Sequence, residues 1–465
     1  AAMQRRFSAS PYEVFFTGGG QHTFENFDPE DNGRIVNLYE ALRRSTNLPF
    51  IRLMRQVVHH VMYRQAGAGV NWLEDPADPR RQEYLARFAD KEGREFLSRF
   101  HAKYQGKTAE EAEALLLGRL RPTPSRLAAI FLTFEPQATP EQLQAFLDRY
   151  LPAPAAAASA PRARARSAAT LIAQYNPAVM NLDDRGYVAG VHPLELWLVG
   201  HLRQHPGAGL GEVITASKDE RQEVYTWLFK TRHKSAQDVR IRSLLEQDGF
   251  KEIQKRWKRL GYPFDALTPS YASALGASGD RPAALAELMG VIVNDGVRLP
   301  VARLTGLQFA QGTPYESRFD LKPAGGERVL PAEVARITRK ALVEVVEQGT
   351  AKRLSGALTG PDGKAVAIGG KTGTGDHRFD TYGKGGVLLS SRVVNRTATL
   401  AFLIGDRYFG TMMAYVHEPD AAKYKFTSAM PSQLMKALVP ALQPMLTQAP
   451  CGSPAPPVHL TRAQP

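Results

Sequence analysis

The four residues Lys371-Thr372-Gly373-Thr374 are the part of this chain best equipped for chemistry. A lysine at that place can hold a fixed ammonium beside a nucleophile. The hydroxyls of Thr372 and Thr374 can grip a carboxylate. Gly373 carries no side chain, so an extended substrate can lie against the backbone as one more strand. A β-like run at 365–368 and then Gly369-Gly370 lead into the tetrapeptide, and further β-like runs follow at 397–404 and 410–416. That pattern predicts a sheet with the tetrapeptide on a strand edge. A strand end with a turn would read the same way, so the motif needs a partner elsewhere in the chain.

Ser45-Thr46-Asn47 is the only Ser-x-Asn in the sequence. The spacing predicts a helix over 35–44, with Val36, Tyr39, Leu42 and Arg43 on one side and basic residues at its end, where they suit the helix dipole. A second helix is expected from about Pro49, a favoured first-turn residue, with Ile51, Met54, Val57 and Val58 turned inward. Ser45 then sits at a corner between two helices, where a serine can also be no more than a cap for the next helix.

Composition narrows the function classes. The chain has 465 residues, a formal net charge of +13 and 43% hydrophobic residues, enough for a buried core and for two or more domains. The basic balance favours anionic surfaces such as phospholipid head groups or acidic wall polymers. No zinc-finger, homeodomain or RNA-recognition signature accompanies it, so nucleic acid is not an expected partner. The single cysteine, Cys451, excludes a disulfide framework. His59 and His60 are adjacent, so on a helix they point about 100° apart and make poor joint ligands; no metal and no cofactor is expected. Gly18-Gly19-Gly20 lacks the Gly-Lys-Ser/Thr ending of a phosphate loop. No apolar run reaches the ~18 residues that span a bilayer.

Between the two motif regions lies a long, helical, charge-rich stretch, with amphipathic segments at 87–104 and 109–120 and with Trp197 and Trp227 as expected core residues. Residues 151–169, with an alanine run and Arg162, Arg164 and Arg166, read as a flexible basic linker. Residues 230–259 are dense in basic side chains, with Trp257 among them, and suit contact with an anionic membrane or wall polymer. Beyond, Asp280 is expected to cap a helix with Pro282 in its first turn, ending at Asn294-Asp295-Gly296. Residues 331–349 form a strongly amphipathic helix carrying Val334, Ile337, Leu342, Val345 and Val346. A last helix over 431–446 should cover one face of the sheet. Residues 448–465 read as a disordered, Pro-rich tail.

The run from Ala41 to Phe50 around Ser45-Thr46-Asn47 resembles the Ser-x-Asn segment of class A penicillin-binding proteins. Leu275-Gly276-Ala277-Ser278, Asn294-Asp295-Gly296, Gly349-Thr350-Ala351 and Gly369-Gly370-Lys371-Thr372-Gly373-Thr374 follow in that family's order. The resemblance covers 10–60 and 262–447. It implies an α+β transpeptidase fold of the penicillin-binding/β-lactamase-like kind, an antiparallel sheet flanked by helices. The expected domains are 1–60 and 262–447 for the two parts of that fold, with a basic helical insertion at 61–261.

The resemblance also implies an acyl transfer. A serine attacks the D-Ala–D-Ala end of a cell-wall stem peptide, D-Ala leaves, and the acyl group passes to an amine on a neighbouring strand; β-lactams mimic the donor. Ser45 would shuttle the proton to the leaving amine, Asn47 would hold the donor amide, and Lys371 would keep the field positive beside Ser45. Thr372 and Thr374 would bind the terminal carboxylate, Gly373 would admit the substrate, and the Thr374 N–H would form half of an oxyanion hole. The setting implied is periplasmic or otherwise extracytoplasmic, tethered to the inner membrane by an upstream segment that also carries a glycosyltransferase domain.

Three features depart from the family. No serine in the chain has a lysine three residues on, so the nucleophile's Ser-x-x-Lys is expected upstream of these residues. The distance between Ser45 and Lys371 is roughly 200 residues more than one compact domain of this type needs. After the tetrapeptide, residues 375–380 read as a polar turn, and 390–396 are more basic than the family pattern. Two other functions stay open at this point: a non-catalytic wall-binding or scaffold module, and a stand-alone β-lactamase or carboxypeptidase.

Overall fold

The computed structural model describes residues 1–17, 20–65, 70–151, 161–304, 306–320, 325–383 and 388–446. Gly18-Gly19, the Pro-rich tail and much of the expected linker fall outside the described residues. The chain divides into two compact units, one made of 1–62 and 246–465 and the other of 63–245. The sheet-bearing unit takes residues 246–261, expected in the insertion. Their helix packs there: the α-carbon of Gly249 faces Met62 and Val58, and Phe250 sits 6.3 Å from the Tyr271 ring.

The sheet-bearing unit is α+β. Its main sheet is antiparallel with three strands in the order Tyr408–His417, Leu388–Ile404, Ile368–Tyr382. Helices cover both faces, as period-2 alternation along the central strand requires. Ala401 and Leu403 pack with Met289, Ile292 and Val293 of helix Pro282–Val293 and with Leu342 of helix Ala332–Gln348. Leu400 and Ile404 alternate to the other face and pack with Met435 of helix Ala429–Leu442. Among the described residues, four small two-stranded pairs complete the unit, one of them Arg6–Ser8 with Ile35–Asn37.

Several local expectations are corrected. The tetrapeptide lies inside a strand, and residues 375–382 continue it by pairing with 388–397, where a polar turn was expected. The segment 35–44 is a short strand followed by helix Leu38–Arg44, because Val36 is committed to the pairing with Phe7. Val57 and Val334 are exposed, at 39% and 44%, while their neighbours Ile51, Met54, Val58, Leu342, Val345 and Val346 are buried. Asp280 does not cap its helix; Arg281 holds the cap position, and the Asp280 carboxylate accepts from the Arg281 N–H at 2.7 Å.

The second unit is helical. Its core gathers Leu97, Leu127, Ile130, Phe134, Leu194, Leu198 and many others. Threonine caps start three of its helices, two of them as reciprocal capping boxes, Thr108 with Glu111 and Thr139 with Gln142. Two buried arginines are paired: Arg81 with Asp238 and Arg221 with Asp90, each at 2.7 Å. Residues 161–169, read as linker, open helix Pro161–Tyr175. Alanine and arginine are strong helix formers and proline suits the first position, so the low-complexity composition was itself helical; Ala168 is fully buried. Trp197 and Trp227 are half-buried rather than central.

Candidate active site

The site starts from a backbone constraint. Helix Leu38–Arg44 ends at Ser45, which adopts φ 61°, ψ 35°. That left-handed conformation is uncommon for a residue with a β-carbon. Helix Asn47–His60 begins two residues later. Ser45 does not cap it. Thr46 holds the cap position with no side-chain bond of its own to the helix, and Asn26 caps from a distance: its Oδ1 accepts from the N–H groups of Asn47 and Leu48, each at 3.1 Å. Asn26 is anchored in turn, its Nδ2 donating to the Ala9 carbonyl at 2.7 Å and to Asn32 Oδ1 at 2.9 Å.

Helix Ala332–Gln348 brings the other wall. It stops at Gly349, whose α-carbon lies so close to the Arg43 carbonyl that a β-carbon would sit 2.4 Å from that oxygen. The Thr350 N–H donates to the same carbonyl at 3.3 Å. The end of the Ser45 helix is thereby fixed against the edge of the sheet.

Lys371 stands on the edge strand, opposite Ala401 in register. Its Nζ donates to Ser45 Oγ and, at 2.8 Å, to the Thr372 carbonyl. Burial pushes the Lys371 ammonium down to about 8, because a charge taken out of water favours its neutral form. The hydroxyls of Thr372 and Thr350 share a hydrogen bond of 2.7 Å, and the Ser428 N–H donates to Thr374 Oγ1 at 2.8 Å.

All six residues singled out in the sequence, Ser45, Asn47, Lys371, Thr372, Gly373 and Thr374, line one cleft of ≈ 470 Å³, together with Thr350, Phe27, Phe50, Leu275 and Ser428. Two are less free than the sequence suggests. The Asn47 Nδ2 donates to the Glu25 carbonyl at 2.9 Å, and Thr372 is only 7% exposed with its hydroxyl bonded to Thr350. Thr350 and Ser428 were missed as site residues. Gly349-Thr350-Ala351 was visible as a pattern, but nothing local ties its hydroxyl to Thr372. Among the described residues no group of three or more His, Cys, Asp or Glu is placed to hold a metal ion.

A chain with this serine corner and this lysine-bearing sheet edge has known relatives. Over 134 residues it is 30% identical to penicillin-binding protein 1B of Escherichia coli K12, a match spanning 29% of this chain and 15% of that relative. Over that stretch, the chain is similar in sequence to a penicillin-binding protein. No family model matches it. Among solved structures, it resembles penicillin-binding protein 1A of Haemophilus influenzae, at 20% identity and a TM-score of 0.30 over 46% of this chain and 34% of that one. It also resembles apo penicillin-binding protein 3 of Mycobacterium tuberculosis, at 17% identity and a TM-score of 0.28 over 47% and 50% of the two chains. The same M. tuberculosis protein complexed with ampicillin gives 16%, 0.28, 52% and 51%. Among the described residues of this penicillin-binding-protein relative, no helix is long and apolar enough to cross a membrane.

Proposed function

We propose that this chain supplies the leaving-group and carboxylate side of a serine DD-transpeptidase that cross-links peptidoglycan stem peptides. The observation that carries the reading is the Lys371 Nζ to Ser45 Oγ hydrogen bond, set in a cleft whose floor is an edge strand. A donor peptide pairs along that strand beside Gly373, with its terminal carboxylate among the hydroxyls of Thr350, Thr372 and Thr374.

The chemistry follows from these placements. A serine activated by its own lysine attacks the penultimate D-Ala carbonyl, and its proton leaves with that base. The C–N bond then breaks, and Ser45 passes a proton to the departing D-Ala nitrogen, replenished through Lys371. The resulting ester is attacked by an acceptor amine, the C–O bond breaks, and a new amide closes the cross-link. None of this chain's serines has a lysine three residues on, so the acylated serine comes from residues other than these. β-Lactams occupy the same cleft as donor mimics. The place of action is the extracytoplasmic side of the membrane, where stem peptides are, and the basic stretch 230–259 supplies contact with anionic membrane or wall polymer.

The rival reading is a wall-binding module without catalysis, and the missing Ser-x-x-Lys is what favours it. The two separate on the native protein that contains this chain. Isolated from its cells and treated with labelled penicillin, it should carry one covalent adduct, on a serine of a Ser-x-x-Lys. Native protein that takes no label while still binding wall material would overturn the transpeptidase reading.

A further inference from the structure

We infer that Asp31 is a positioning residue for Ser45: its buried carboxylate clamps the residues on both sides of that serine and so aims the hydroxyl at Lys371. The inference rests on the reading of Ser45 and Lys371 as partners in acyl transfer.

Ser45 is the only residue between helix Leu38–Arg44 and the Thr46 cap of the next helix. In the left-handed region it is a hinge that L-residues enter singly and against a steric cost, so its geometry persists only where the surroundings over-determine it. Backbone bonds tie the corner to the helix before it, among them Ser45 N–H to Leu42 O at 3.2 Å and Thr46 N–H to Ala41 O at 2.9 Å. Asp31 supplies the side-chain restraint on the two residues that flank the serine. Its Oδ1 accepts from Arg44 Nε at 2.7 Å, and its Oδ2 accepts from the Thr46 hydroxyl at 2.9 Å. Arg34 Nε lies 3.3 Å from the same Oδ1.

The Asp31 and Thr46 ends of this clamp sit away from solvent. The Asp31 side chain is 3% exposed and Thr46 is 1% exposed, so its charge-assisted bonds are poorly screened and exchange slowly for water. The Arg44 guanidinium is held up from its ordinary range, first of all by the bond it donates to Asp31. Asp31 touches neither Ser45 Oγ nor Lys371, and it is absent from the cleft wall formed by Arg44, Ser45, Thr46 and Asn47. It therefore acts through the residues that flank the serine. No part of the Ser-x-Asn motif signals it, because Asp31 precedes Ser45 by more than three helical turns of sequence.

The test uses the 465-residue chain labelled with 13C-lysine, with the Lys371 signal identified by its loss in Lys371→Arg. The Lys371 titration midpoint and the melting temperature are measured for Asp31→Asn, Thr46→Val and Thr46→Ser. Asp31→Asn removes the charge from Arg44; Thr46→Val removes one hydroxyl and little volume, and gives an answer if Asp31→Asn does not fold. A released corner lets water reach the ammonium, so the midpoint should rise by ~1 pH unit in both Asp31→Asn and Thr46→Val, and Thr46→Ser should keep the wild-type value. If both variants melt earlier while Lys371 titrates as in the wild type, Asp31 only stabilises the fold and the inference is overturned. The acyl-transfer reading fails by a different result, absence of a covalent penicillin adduct on the native protein, which does not depend on where Lys371 titrates.

Discussion

Lys371 Nζ donates a hydrogen bond to Ser45 Oγ across 326 residues of sequence. The helical unit of residues 63–245 is inserted in the chain between them. The pair joins a helix corner to a sheet edge, and substitutions around that junction test how it is held and what it does.

Replacing the ammonium tests its electrostatic role. Lys371→Met should lower covalent penicillin labelling of the native protein by ~10²–10³-fold, the usual loss when a preorganised donor is removed from an acyl-transfer site. Fluorescent-penicillin labelling rates measure this. Labelling within a few-fold of wild type would remove Lys371 from the chemistry.

The titration of Lys371 has a defined sign. Its folded-state value of about 8 lies below the ordinary 10.5, so between those values the unfolded chain binds the extra proton and stability rises with pH. The penalty for burying the charge is fully present below about 8 and is relieved as pH climbs toward 10.5. Urea unfolding of wild type against Lys371→Met across that window should give curves that converge as pH rises. Binding of a carboxylate-bearing β-lactam should weaken as pH rises through about 8, where the folded ammonium gives up its proton.

Gly349 is required by a close approach rather than by its dihedrals. A β-carbon at that place meets the Arg43 carbonyl at 2.4 Å and the Val345 carbonyl at 2.8 Å, and neither is the free end of a side chain. Gly349→Ala should cost about 1–3 kcal/mol, as overpacking does, read as a drop in urea midpoint at unchanged slope. An unchanged midpoint would mean that the helix end moves away freely, and that it does not fix the Ser45 corner against the sheet.

The Thr350–Thr372 hydroxyl pair, at 2.7 Å, holds the strand to the loop after Gly349. Thr350→Val should cost about 1 kcal/mol of stability for one part-buried hydrogen bond. It should also weaken β-lactam binding, because it removes one of the three hydroxyls proposed to receive the carboxylate. Isothermal titration on the folded variant separates the two effects. Full affinity would assign Thr350 to the fold alone.

The Asn26 side chain makes two hydrogen bonds to the start of helix Asn47–His60 and two to Ala9 and Asn32. Asn26→Ala should destabilise by about 1–2 kcal/mol, the range for a lost helix cap. Faster amide exchange should be confined to Asn47 and Leu48 and the first turn they begin. Exchange unchanged at those two amides would show that the helix start is held otherwise.

The grouping of the candidate residues was legible in order and spacing. Ser45, Asn47 and the tetrapeptide are separated by hundreds of residues, yet all line one cleft. Hydroxyls, an amide and an ammonium beside glycines bury poorly in an apolar core, so they fall where a helix corner and a strand edge leave space. The extension of the hairpin was not legible. Residues 373–381 are exposed on both faces, so they carry no alternation of apolar and polar side chains for a period to show. They are strand because 390–399 pair with them, and pairing is a property of two segments together. The helix over residues 161–169 is hidden for the opposite reason: its alanines and arginines have a low-complexity pattern, although they favour a helix.

The sequence by itself determined which side chains can do chemistry and the elements that carry them, since helix and strand periods and turn residues act over a few positions. Only the tertiary structure decided that Ser45 sits in a left-handed corner, that Asp31 and Asn26 hold its neighbours, and that Lys371 meets it. Those contacts join residues with no shared local pattern. The restraint on a buried carboxylate or amide comes from whatever donors the fold brings within about 3 Å, and that is settled only when the whole chain has packed.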